Sequence, residues 1–86
     1  MSDRASPAVM AALKEALQGQ IDADDPPDTA LTLARLLDEG LSEDDAWRWL
    51  SAALLQELSA VIRDRRDFDR AGYVAALHGL PGLADR

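Results

Sequence analysis

Apolar positions in this chain recur at steps of three and four residues, the spacing of one face of a helix. Val9, Met10, Leu13, Ala16, Leu17 and Ile21 form the first such face, opened by Ser6 as N-cap and Pro7 at the first helical position. This helix is expected to end near Gly19 or Gln20. Asp22 to Asp28 then reads as a connector, with Asp25 capping a second helix and Pro26 and Pro27 in its first turn. Ala30, Leu33, Ala34 and Leu37 make the expected stripe of the second helix, with Leu36 at its edge. That helix is expected to stop near Glu39, where Gly40 supplies a left-handed terminator and Leu41 an apolar residue to pack back. Ser42 begins a third helix through a variant capping box, Ser-Glu-Asp-Asp. No glycine or proline follows before Gly72, so this helix is expected to reach about Arg65 and to be the longest element. A polar junction, Arg63 to Arg70, leads to a fourth helix capped by Asp69, with Phe68 and Tyr73 spaced as a hydrophobic staple. It carries Val74 and Leu77 and ends at Gly79, and the last few residues of the chain are expected to fray.

The pattern of the third helix raises two questions. Leu50, Leu54, Leu58 and Val61 share a face, and Glu57 falls in the same arc. A carboxylate there either tilts to the rim and pairs with an arginine between Arg63 and Arg70, or sits at a contact with another chain. Trp47 and Trp49, the two tryptophans, lie about 200° apart around a helix, so both cannot enter one core by the same face. Trp47 falls on the broad face of Leu54 and Leu58. Trp49 lies on a flank with Ala53 and Ala60, while Leu55 and Ile62 extend the apolar surface on the other flank. A helix apolar over so much of its circumference is central to its bundle or packs on another chain. Trp49 therefore either half-covers its own bundle or anchors an interface.

Composition agrees with helices. Alanine and leucine supply 30 of 86 residues, whereas valine, isoleucine and threonine together number seven. The expected architecture is all-α: a single domain over residues 1–86, with an ordered core of about 6–80. It is a small bundle of about four antiparallel helices joined by short connections, with a long central third helix.

Charge and candidate chemistry narrow the function. The net charge of −7 is uneven: residues 1–45 carry eleven acids and three bases, residues 46–86 five acids and six bases. Such a surface repels phosphate backbones, so direct nucleic-acid binding is not expected. There is no cysteine, hence no disulfide framework or thiolate metal site. Asp22, Asp24, Asp25 and Asp28 lack the alternate ligands, central glycine and distal glutamate of a calcium loop. His78, the one histidine, has no catalytic pattern around it in sequence, and no phosphate loop or nucleophile elbow is present. No cofactor, metal or enzymatic activity is expected. Lys14 and Glu15 interrupt the early apolar stretch, which argues against a signal peptide, and no uncharged run is long enough to span a bilayer. A cytoplasmic location without membrane contact is the expectation.

One stretch resembles a known family. Gln20-Ile21, the run Thr32-Leu33-Ala34-Arg35-Leu36-Leu37-Asp38-Glu39-Gly40-Leu41, and then Phe68, Asp69, Tyr73, Ala76 and Leu77 resemble a small bacterial helical domain family of unknown function, over roughly residues 18–80. The resemblance implies a helical fold and no transferable activity. Where that family carries two histidines four apart, this chain has Asp44 and Arg48. Two histidines at that spacing could share a metal; Asp44 and Arg48 are instead expected to form a surface ion pair.

Two functions follow as expectations. The first is a non-enzymatic interaction module that homodimerises or docks on a larger protein through the third helix, with Trp49, Ala53, Leu55, Glu57 and Ile62 at the interface. The second is a small acidic inhibitor or DNA mimic of the anti-CRISPR kind, which would use Asp24, Asp25, Asp44 and Asp45 to block a basic nucleic-acid site. Against it, those acids fall at the two ends of one helix rather than along a line.

Overall fold

A computed structural model describes residues 6–82. The described residues form four helices and no strand: α1 (Pro7–Ala23), α2 (Pro27–Asp38), α3 (Glu43–Asp64) and α4 (Arg70–His78). The chain end expected to fray lies outside the described residues beyond Gly82.

Local chemistry sets three of the four helix starts. The Val9 amide donates to Ser6 Oγ at 3.2 Å, the Asp45 amide to Ser42 Oγ at 3.1 Å, and the Gly72 amide to Asp69 Oδ1 at 3.0 Å. Each bond satisfies a donor that the helix itself leaves unpaired. The start of α2 departs from expectation. Pro26 occupies the cap position and supplies no side-chain bond, while Asp25 turns away to pair with Arg70 at 2.7 Å.

The helix ends are less uniform. α1 runs past Gly19 and Gln20 to Ala23, then closes at Asp24 in the left-handed conformation. An interior glycine costs a helix only about 1 kcal/mol relative to alanine. Here half-buried Ile21 and the bonds made by the Gln20 side chain hold the last turn. α2 stops as expected: Gly40 has φ +103° and the Leu41 amide donates to Leu36 C=O at 3.1 Å.

α3 is central. It packs against each of the other three helices, as does α2, and α1 and α4 meet through the Tyr73–Gln20 hydrogen bond. Leu17, Leu36, Leu50, Tyr73 and Leu77 are fully or almost fully buried, with Ala46, Ala53 and Leu54 between them. Both tryptophans are half-buried and pack on this core from two flanks of α3. Lys14 Nζ lies 5.5 Å from the centroid of the Trp47 ring. Phe68 meets Tyr73 edge-on, with ring centroids 5.4 Å apart, as the staple spacing requires.

The inward face of α2 is not the one the apolar stripe indicates. Thr29, Thr32 and Leu36 are buried, Leu33 is half-buried, and Ala34 and Leu37 face solvent. Thr29 is admitted because its Oγ1–H donates to Gln20 Oε1 at 2.6 Å. The same oxygen accepts from Tyr73 O–H at 2.9 Å. A hydroxyl with a partner costs little to bury, and its methyl still packs. This three-residue network ties α1, α2 and α4 together.

Burial pushes the Tyr73 phenol above its ordinary value, against the opposing effect of its hydrogen bonds. A group whose folded pKa is raised contributes stability that is complete below the unfolded pKa, about 10 for tyrosine, and lost as pH rises through it. The protein is therefore expected to lose stability above about pH 10, with Tyr73 ionising on unfolding. Alkaline titration of tyrosinate absorbance in the wild type, against Tyr73→Phe, checks this. The chain has one tyrosine, so the signal is unambiguous.

Candidate functional site

α3 presents two unlike faces. The inner arc carries Ala46, Leu50, Ala53, Leu54 and Glu57, all buried. On an adjoining arc, Leu55, Leu58 and Ile62 fall within about 60° on a helical projection. Leu55 is half-buried, Leu58 is 37% exposed and Ile62 is 77% exposed. Toward the N-terminus the same arc passes Ser51, which is buried, before reaching exposed Arg48 and Asp44. Leu58 thus faces outward rather than sharing the core with Leu50 and Leu54.

The residues expected at an interface separate accordingly. Ile62 is open and Leu55 is partly covered. Trp49 half-covers its own bundle. Ala53, at 1% exposure, lies in the core because the inner arc of a central helix is covered by its neighbours. It is not part of an outer surface.

Glu57 is also accounted for within the chain. Arg66 grips its carboxylate with both guanidinium Nη atoms, at 2.7 and 3.1 Å, and the Asp69 amide donates to it at 2.7 Å. The carboxylate in turn holds the Arg66 guanidinium above its ordinary pKa. This clasp follows the end of α3 at Arg65, which takes a left-handed conformation at φ 52° with no glycine available. Glu57 is therefore an anchor of the α3–α4 turn, buried and paired within the chain.

Two hollows flank α3. One, of about 290 Å³, lies between α3 and α4 and includes the clasp residues Glu57, Arg66 and Asp69 over a floor of Ala53, Ala60, Gly72 and Ala76. The charged groups there are already paired, Arg63 with Asp64 at 3.0 Å and Arg66 with Glu57. The other, of about 260 Å³, lies between α1 and α3 and is lined by Met10, Ala11, Lys14, Asp44, Trp47, Arg48 and Ser51. The expected Asp44–Arg48 pair does not form: it is not among the ion pairs of the described residues.

The remaining chemistry is used in the fold. His78 Nε2 lies 2.6 Å from Asp28 Oδ2, joining the end of α4 to the start of α2, a contact between residues 50 apart that sequence order hides. Arg35 pairs with Glu39 at 3.0 Å and donates to the carbonyls of Leu77 and His78 at 3.1 and 3.4 Å. It thus satisfies open carbonyls at the end of α4. Within the run of residues 32–41, Arg35 docks α4, Leu36 is core, and Gly40 and Leu41 close α2. Among the described residues, no group of three or more histidine, aspartate or glutamate side chains is placed to hold a metal ion. No helix among them is long and apolar enough to cross a membrane.

Comparison with protein-family models, with curated proteins and with solved structures finds no match for this chain.

Proposed function

We propose that the chain is a non-enzymatic, cytoplasmic interaction module that works by protein contact through the outward strip of α3, pairing with itself or docking on a larger protein. The observation that carries this reading is the exposure of Ile62 beside Leu58 and Leu55, on the helix whose other side organises the core. Single exposed aliphatic residues are ordinary on a protein surface; exposed Leu58 and Ile62 side by side on one arc of the central helix, next to half-buried Leu55, are the kind of patch that marks contact.

The acidic-inhibitor alternative draws less support. Asp25 is engaged with Arg70, Asp24 is the left-handed cap of α1, and Asp44 and Asp45 lie in the first turn of α3, where the helix dipole favours them. Each therefore has a local structural role.

The test is sedimentation of the wild type and of Ile62→Asp and Leu58→Asp, together with affinity purification from the native host. Self-association, or a co-purifying protein, that is lost in both variants supports the reading. A wild type that stays monomeric and binds nothing in a strip-dependent way overturns it. Because Ile62 is 77% exposed, Ile62→Asp is expected to melt within about 1 kcal/mol of the wild type, and a melt of each variant separates lost folding from lost association.

A further inference from the structure

We propose that the hollow between α1 and α3 is a binding site for a small aromatic monocarboxylate, separate from the outward strip. One face of each helix builds it: Asp44, Trp47, Arg48 and Ser51 at steps of three and four residues on α3, with Met10 and Lys14 from α1. Charge sets this hollow apart. The described residues hold seven lysine and arginine side chains, and four of them, Arg35, Arg63, Arg66 and Arg70, are in ion pairs. Of the other three, Arg65 caps α3, whereas Lys14 and Arg48 both line this hollow. In a chain of net charge −7, the fold leaves these two cations without a carboxylate partner among the described residues. They form a local site for an anion on an otherwise acidic surface.

Ser51 is a second, independent observation. It is only 3% exposed, yet its hydroxyl enters no hydrogen bond among the described residues. No fully buried side-chain oxygen or nitrogen among them lacks a partner, so the Ser51 oxygen keeps its small exposure toward the hollow it lines. Lys14 and Arg48 are exposed and stand at the rim; Ser51 is the inner polar group. A hydroxyl so placed costs stability in the free protein and is recovered when a ligand oxygen accepts from it.

The lining selects the ligand. The Arg48 guanidinium offers parallel N–H donors that match a carboxylate, and Lys14 adds a point charge. Asp44 leaves the hollow with a net charge of only +1, two cations less one acid. That suits a single negative charge and disfavours a phosphate dianion. The apolar wall adjoins the charge: Lys14 Nζ lies 5.5 Å from the centroid of the Trp47 ring, and half-buried Met10 lines the same hollow. Indole and thioether are both favourable neighbours for an aromatic ring. The volume, about 260 Å³, is just below that of ordinary ligand pockets and admits one ring. Affinity is correspondingly modest, with a Kd of about 0.1–1 mM for a ligand of roughly ten heavy atoms.

Titration of benzoate into the isotope-labelled protein, followed by NMR, is the test. Benzamide serves as the uncharged analogue of the same shape, and inorganic phosphate as the anion without a ring. Benzoate is expected to saturate and to shift the Trp47 indole N–H, the Arg48 Nε–H and the Ser51 amide. Benzamide and phosphate should each bind at least about tenfold more weakly. Arg48→Gln and Lys14→Gln, both on exposed side chains, are each expected to weaken benzoate by about tenfold. Ser51→Ala should weaken it by about threefold, yet melt at the wild-type temperature or higher, since it removes a hydroxyl without a partner and favours the helix. Benzamide or phosphate binding as well as benzoate overturns the proposal. So do charge variants with unchanged affinity, a Ser51→Ala variant that loses stability but not affinity, and shifts that fail to saturate by about 10 mM. None of these results bears on the strip, which is read through Ile62 and sedimentation.

Discussion

Leu50→Ala is expected to lower stability by about 3–4 kcal/mol, whereas Ile62→Ala, on the same helix, should change it by less than about 0.5 kcal/mol. Leu50 is fully buried at the centre of the inner arc of α3; Ile62 is 77% exposed on the outer one. Removing three carbon atoms from Leu50 loses their transfer from water and leaves a cavity that a helix packed against three others cannot easily close. For a domain of this size the loss corresponds to a melting temperature lower by roughly 15–20 °C. Paired thermal and denaturant melts of the two variants check it. Equal losses would show that the two arcs of α3 have been assigned to the wrong sides, and the strip would cease to be a surface.

The second large effect is expected at Glu57. Glu57→Ala should destabilise by about 2–3 kcal/mol, and Glu57→Gln by distinctly less. The alanine variant leaves the Asp69 amide without its acceptor and removes the carboxylate that Arg66 grips. The cost stays below the 3–5 kcal/mol typical of breaking a fully buried pair, because the arginine retains contact with water. Glutamine still offers one oxygen to the Asp69 amide. Denaturant melts give the magnitude, and hydrogen exchange at Asp69 localises it: the amide is expected to exchange much faster in Glu57→Ala. Unchanged exchange would mean that something other than the clasp holds the turn. An interface role would predict the reverse pattern, with stability intact and association lost.

These two residues also mark where sequence reasoning reached and where it stopped. Leu50 was legible because it and Leu54 sit together in a periodic leucine run, although the same run carried Leu58 inward with them, where the structure leaves it exposed. Glu57 was legible as an anomaly, a carboxylate on an apolar arc, and an arginine between Arg63 and Arg70 was one of two answers open to it. Choosing between them needed the path of the chain after Arg65, where no glycine announces the turn. The inner face of α2 was misjudged for a related reason. Periodicity counts aliphatic side chains, and it cannot know that Gln20 will stand where Thr29 and Tyr73 can both reach it. His78 appeared without a carboxylate partner because Asp28 is 50 residues away in sequence.

The sequence by itself determined the four helices, the caps at Ser6, Ser42 and Asp69, the stop at Gly40 and the long third helix, since those depend on residues within about four positions of one another. The tertiary structure alone decided which face of α2 turns inward, that Ala53 and Glu57 are interior, that Trp47 and Trp49 flank one core, and that Leu58 and Ile62 remain toward solvent. Those outcomes depend on which helices lie beside α3 and along what length of it. That is a matter of packing between segments distant in the chain, which no local spacing encodes.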